Sequence, residues 1–191
     1  TIKERFLGTI FGQAVGDALG LSTEFMSRQE VDQFYPNGIE DYSQIVQDDH
    51  RRRWQRGDWT DDTDMMLCIL DSFVACQKVD TLDIARRFKE WMMNGGMGIG
   101  RHTYCLDDEK SMGYTLRTLG AALWAYWHAT SYKEGILKIV LSGGDADTNV
   151  AVAGAILGAK FGICHIPEEW KDGLLYASML HNKVQEFYAM V

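Results

Sequence analysis

Gly57-Asp58-Trp59-Thr60-Asp61-Asp62-Thr63-Asp64 puts four carboxylates within seven residues, with no Lys or Arg among them. The stretch runs straight into Met65-Met66-Leu67-Cys68-Ile69-Leu70, where apolar residues recur at helical spacing. Met65, Ile69 and Phe73 form one row, and Met66, Leu70 and Val74 form the next. Asp61 stands one turn before the first row and Asp62 one turn before the second, so both carboxylates point the way the buried side chains point. A charge on a core-facing surface is costly unless it is paired or holds a metal. Acids do favour helix N-termini, and the helix dipole accounts for one or two of the four. It accounts poorly for all of them, because like charges this close repel. Thr60 or Asp61 is the expected N-cap.

The design recurs later. Ser142-Gly143-Gly144 is followed by Asp145-Ala146-Asp147-Thr148-Asn149 and then by Val150 to Ala159, an apolar, small-residue helix. Asp147, Ala151, Ala155 and Ala159 share a row, so a second carboxylate heads a packed face. Two acidic helix starts in one chain of this size can converge. Their side chains offer only oxygens: Thr60, Asp61 and Asp62 from one, Asp145, Asp147 and Thr148 from the other. Oxygen ligands select Mg²⁺, Mn²⁺ or Ca²⁺ over Zn²⁺, and this many carboxylates could hold two ions. An EF-hand is excluded. A loop begun at Asp145 meets Val150 where Gly is needed and Ile156 where Glu is needed, and one begun at Asp58 meets Thr63 and Ile69 there. A metal pair that lowers the pKa of a bound water points to hydrolysis, of a phosphate ester or of a glycosidic bond. These residues alone leave that choice open.

The elements that must position these acids are helical. Two prolines in 191 residues and dominant three-and-four apolar spacing predict an all-α chain, a single orthogonal helical bundle. The first helix is expected over about Ile2 to Leu21. Within it Gly8, Gly12, Gly16 and Gly20 recur every fourth residue, so one stripe is bare backbone for another helix, or a ligand, to approach. Close helix packing is the simpler reading. Asp17 lies inside this helix and Glu24 just beyond it, as satisfied polar groups or as parts of a site. Ser27 to Trp59 reads as irregular, with the run His50-Arg51-Arg52-Arg53-Trp54-Gln55-Arg56 solvated or paired with nearby acids. The aspartate-headed helix is expected to end near Gln77. Thr81 would cap the next helix, with Leu82, Ala85, Phe88, Trp91 and Met92 as its buried face. Asn94-Gly95-Gly96-Met97-Gly98-Ile99-Gly100 is a glycine loop without the Lys of a P-loop. A helix follows from Tyr114 to Ala129, Ser131 to Glu134 reads as a capping box, Pro167 fits a first helical turn, and Val184, Phe187 and Tyr188 belong to the last helix.

Net charge is -8, which argues against a nucleic-acid surface. Cys68, Cys76, Cys105 and Cys164 form no CxxC pair and read as reduced thiols of a cytoplasmic protein. No apolar run reaches the ~18 residues of a membrane span, and no signal peptide is visible.

Taken in order, Gly12 to Gly20 with Glu24-Phe25, Gly57 to Thr63, Gly95 to Gly100 and Gly143 to Thr148 resemble the motifs of the ADP-ribosylglycohydrolase family over nearly the whole chain. The family includes the dinitrogenase reductase-activating glycohydrolases, the animal ADP-ribosylhydrolases and the J1 crystallins. The resemblance implies an all-α fold and a centre of two Mg²⁺ ions, or Mn²⁺ in their place, between helix N-termini. It implies removal of ADP-ribose from a modified protein side chain or a small ADP-ribose conjugate. Thr60, Asp61, Asp62, Asp145, Asp147 and Thr148 would be the metal ligands. Glu24 would be the acid beside the ribose, with Asp61 and Asp147 the other catalytic positions. Gly98, Ile99 and Gly100 would lie against the substrate diphosphate or ribose. Family members usually carry on the order of a hundred further residues between the glycine loop and the Tyr114 helix. Here the junction near Tyr104 and Cys105 is abrupt. The chain is expected to be either a shortened form or one that has lost a segment, with the metal site kept and the pocket more open. A non-catalytic relative that serves as a structural or ADP-ribose-binding protein is the alternative.

Overall fold

In a computed structural model of the chain, residues 1–96 and 112–190 are described, with side chains from Thr118 onward in the second stretch. Among these residues every regular element is a helix and none is a strand. The α-helices are α1 (Ile2–Gly20), α2 (Arg28–Phe34), α3 (Asp61–Cys76), α4 (Thr81–Met93), α5 (Met112–His128), α6 (Tyr132–Val140), α7 (Ala146–Phe161), α8 (Glu168–Asp172) and α9 (Ala177–Tyr188).

The glycine stripe of α1 meets α7, and this pair is the centre of the fold. Gly8 lies on Gly158, Gly12 on Gly154, Gly16 on Val150 and Gly20 on Ala146, so the two helices run antiparallel in register. A Cβ on Gly12 would collide with the Gly154 carbonyl, and one on Gly20 would stand 2.6 Å from both the Ala146 oxygen and the Asp147 Cα. The stripe therefore serves a helix and not a ligand. Small side chains keep the approach close: Ala14, Ala18, Val150 and Ala153 are wholly buried. Tyr132 on α6 locks the seam by donating its hydroxyl to Gly12 O at 2.8 Å. Trp170, also wholly buried, closes the far side by donating to Glu40 O.

Several local expectations change. The segment read as irregular contains α2, started by a full capping box in which Ser27 and Glu30 satisfy each other's backbone amides. The α4 cap is Asp80, which accepts from Leu82 N and Asp83 N, and not Thr81. The apolar face of α4 is not buried: Leu82 is 82% exposed, and no residue of the helix is fully covered. Only half of the box at Ser131 forms, since Glu134 turns back to Thr130 N and Oγ1. Pro167 stands one residue ahead of α8, at its N-cap.

Candidate functional site

The start of α3 shows how the acids are placed. Thr60 is its N-cap but makes no side-chain capping bond, contrary to expectation. The cap comes from another helix. Asp17 of α1, wholly buried, accepts from Thr60 N at 3.1 Å, Thr60 Oγ1 at 2.8 Å, Thr63 N at 3.0 Å and Thr63 Oγ1 at 2.6 Å. One carboxylate thus satisfies amides of the first turn that a local cap would have taken. Gln13 adds a bond from Nε2 to Asp62 O at 3.1 Å. Upstream, Gly57 sits at φ +82, where its carbonyl accepts from Leu175 N at 2.8 Å and fixes the approach to the helix.

Glu24 is fixed from the other side. Past α1, Arg51 is 3% exposed and donates from Nε to Leu21 O and Ser22 O, both at 2.9 Å, and from its terminal nitrogens to Glu24 O and Asp48. These are carbonyls left open at a helix end, and a guanidinium is suited to gather them. The Glu24 carboxylate meets His50 Nε2 at 2.5 Å. Phe25, at φ +59 and 70% exposed, donates its N–H to Gly144 O at 2.6 Å, which ties the Glu24 loop to the loop that carries Asp145. Its ring lies 5.2 Å from that of His50.

The two acidic helix starts converge. Across the gap between α3 and α7, Asp62 stands close enough to Thr148 and Asp145 for both to act on its carboxyl. Burial pushes the Asp61 carboxyl up to about 7, with Asp62, Glu24 and Asp64 adding repulsion. Asp62 is raised by burial and by Asp145 and Glu24, with Thr148 lowering it. Asp147 is raised furthest, by burial and then by Glu24, Asp62 and Asp17. Its Oδ1 is buried and has no hydrogen-bond partner among the described residues. Glu24, Asp61, Asp62, Asp145 and Asp147 therefore share one field, with Thr60 and Thr148 at its edge. Asp64 faces aside and accepts the indole N–H groups of Trp59 at 2.9 Å and Trp91 at 2.8 Å. Asp58 accepts from Trp59 N at 3.0 Å. Gly98, Ile99, Gly100 and the Tyr104–Cys105 junction lie outside the described residues.

Among the described residues, no group of three or more His, Cys, Asp or Glu side chains is drawn together closely enough to hold a metal ion. The donors nevertheless fit a hard divalent cation. All are oxygens, and the unpartnered Asp147 oxygen is the kind of buried group that needs an account.

Sequence reading missed two contributors. Arg51 and His50 belong to the run read as solvated or acid-paired; His50 does pair with the Glu24 carboxylate of the site, and Arg51 pairs with Asp48 while holding the Glu24 carbonyl. Asp17, left undecided, is a fully satisfied structural acid. The only signal for it is its place among small residues, since its partners are 43 and 46 positions away.

A family model described as ADP-ribosylglycohydrolase matches residues 1–107 and 101–190. The chain belongs to the ADP-ribosylglycohydrolase family. It is similar to the ADP-ribosylarginine hydrolase Tri1 of Serratia proteamaculans (strain 568), with 36% identity over 84 residues, 44% of this chain and 23% of that protein. It thus spans under a quarter of that relative. Similarity to the ADP-ribosyl-dinitrogen reductase glycohydrolase of Rhodospirillum rubrum is 23% identity over 280 aligned positions, covering 91% of each chain. A solved ADP-ribosylglycohydrolase-related protein complex shares the fold, with a TM-score of 0.72 at 21% identity over 98% of each chain.

Proposed function

We propose that this ADP-ribosylglycohydrolase family member is a Mg²⁺-dependent hydrolase that removes ADP-ribose from a modified protein side chain or a related conjugate. The observation that carries the reading is the convergence of two acidic helix starts on one partly buried field of oxygens, in which Asp147 Oδ1 has no partner among the described residues. Family membership supplies the reaction class. Thr60, Asp61 and Asp62 from α3, and Asp145, Asp147 and Thr148 from α7, would hold two Mg²⁺ ions or Mn²⁺ in their place. Bound there, the ions would lower the pKa of water and grip ribose hydroxyls.

The chain's own residues do the rest. Asp17 holds the α3 start still, so that Asp61 and Asp62 keep their aim. Arg51 and the Phe25–Gly144 bond hold the Glu24 loop against the Asp145 loop. Glu24, bonded to His50, takes the proton of the attacking water or assists departure of the leaving group. Gly98, Ile99 and Gly100 would meet the diphosphate or ribose. No helix among the described residues is long and apolar enough to cross a membrane; the cytoplasm is the location proposed for the enzyme. The family model meets the chain in two stretches that join at 101–107, and 280 aligned positions exceed the 191 residues present. Those facts support a pocket that is more open than in longer relatives. They also favour the second reading, a non-catalytic relative.

Release of ADP-ribose from a panel of ADP-ribosylated proteins and small conjugates, with Mg²⁺ and then with chelator, tests the reading. Mg²⁺-dependent release, reduced together with Mg²⁺ affinity in Asp61→Asn and Asp147→Asn, is expected. Mg²⁺ binding without release from any substrate would transfer the weight to the non-catalytic reading.

A further inference from the structure

The basic run ahead of α3 is built as a bracket around one acid. A single 3₁₀ turn, Arg51–Arg53, follows His50. Asp48 closes the start of that turn by accepting from His50 N at 3.1 Å and from Arg51 N at 2.8 Å. Arg51 then holds the Glu24 carbonyl, and His50 Nε2 stands 2.5 Å from the Glu24 carboxylate. Arg53 turns back on His50, donating from Nε to His50 O at 2.9 Å and from a terminal nitrogen to the ring nitrogen Nδ1. We infer that Arg53 fixes His50 as the tautomer that carries its proton on Nε2, and that His50, so fixed, positions the Glu24 carboxylate for the reaction. The inference rests on the hydrolase reading for its consequence in catalysis, and on side-chain geometry alone for the state of the ring.

The chemistry of the three groups leaves one assignment. A guanidinium has donors and no acceptor. Against Arg53, Nδ1 must accept, so the ring carries its proton on Nε2. Nε2 then donates to a Glu24 oxygen. The other tautomer would set a proton against Arg53 and a lone pair against the carboxylate, and an imidazolium would also set a proton against Arg53. Only the Nε2 form satisfies both neighbours at once.

The ring is also held in place. Phe25 lies 5.2 Å from it and Trp54, a buried residue, 5.4 Å from it, between centroids. Arg53 rests on Trp54, with its guanidinium carbon 4.6 Å from the ring centroid. Glu24 needs such a hold, because it stands among like charges: it acts on Asp61, Asp62 and Asp147. A carboxylate so placed gains by turning to water, and a fixed donor opposes that turn. The three arginines therefore differ in kind. Arg51 holds the Glu24 backbone, Arg53 holds His50, and Arg52 pairs outward with Asp49 at 3.0 Å, where both side chains are exposed.

Long-range proton–nitrogen correlation spectra of the full chain with Mg²⁺ locate the ring proton, the His50 signals being those lost in His50→Gln. A neutral ring with a protonated Nε2 and a bare Nδ1 is expected. Arg53→Met, a surface change, should replace that single form by a mixture. ADP-ribose release supplies the second arm. His50→Gln returns a donor to the Nε2 position, and His50→Asn is too short to do so. His50→Asn should lower kcat about tenfold to hundredfold with KM and Mg²⁺ affinity within about twofold, the usual cost of losing a group that orients a working side chain. His50→Gln should recover most of that loss, and Arg52→Met should match the parent. An imidazolium or an Nδ1-protonated ring in the parent, or equal loss of kcat in His50→Gln and His50→Asn, overturns the inference. The expected ring state in a chain that releases no ADP-ribose leaves the Arg53–His50–Glu24 bracket in place and removes the hydrolase reading. Release by a parent with another ring state removes the bracket alone.

Discussion

The starts of α3 and α7 are written alike and finished differently. Each has glycine ahead of close-spaced aspartates, a threonine and a buried helix. At α3 the first turn is closed by Asp17, which brings hydrogen bonds from Thr60 and Thr63. At α7 the Asp145 side chain makes no capping bond, Asp147 rests against the bare backbone of Gly20, and its Oδ1 has no partner among the described residues. One start is a completed piece of protein structure, and the other retains an unused, costly acceptor. Two buried aspartates of similar exposure therefore have opposite roles: Asp17 holds the fold together, and Asp147 strains it.

The largest expected effect concerns the seam that sets the two starts side by side. Gly154→Val would drive two branches into the Gly12 carbonyl, with backbone on both sides and no side chain able to yield. The cost should exceed the ~3 kcal/mol usual for overpacking. Denaturant melts check it, and a variant of near-native stability would show that the seam does not fix the two starts.

Next comes the contrast itself. Asp17→Ala strips partners from two amides and two hydroxyls and should cost about 3–5 kcal/mol, with or without divalent cation. Asp147→Asn should instead leave the cation-free protein within about 1 kcal/mol of the parent at neutral pH, because the buried Asp147 carboxyl is already protonated there and a neutral amide replaces it, while Mg²⁺ no longer raises its melting temperature. If both variants destabilise equally in chelator, the contrast fails.

The smallest effect sharpens it. In chelator, the folded Asp61 carboxyl sits at about 7 against an ordinary value of 3.8, and Asp62 and Asp147 are displaced the same way. The folded chain therefore holds more protons than the unfolded one between these values. Stability from these groups is full below about 4 and falls as pH rises through about 7. Mg²⁺ should flatten that slope. A cation-free melting temperature that rises across the same interval would contradict it.

The acid pairs, the glycine stripe and the helical class were legible in the sequence because each is a local pattern read against one period. Glycines every four residues say that something comes close, and Asp-Asp before an apolar row says that charge faces inward. What stayed hidden depends on distant partners. Nothing near Asp17 announces Thr60 and Thr63, and nothing in a run of arginines separates the buried Arg51 from Arg52, an exposed neighbour. The Ser27–Glu30 box is a local pattern too, but it is set in a segment where the turn residues Pro36-Asn37-Gly38 dominate. The α4 face misled for the opposite reason: its period is right, but among the described residues nothing covers Leu82.

The α1–α7 seam joins the two stretches of chain that the family model matches separately. Because the acids of both stretches are indexed to that bare backbone, their spacing does not depend on how much polypeptide runs between them. Evolution can lengthen or trim the connection after α4 without disturbing the distance from Asp61 to Asp147.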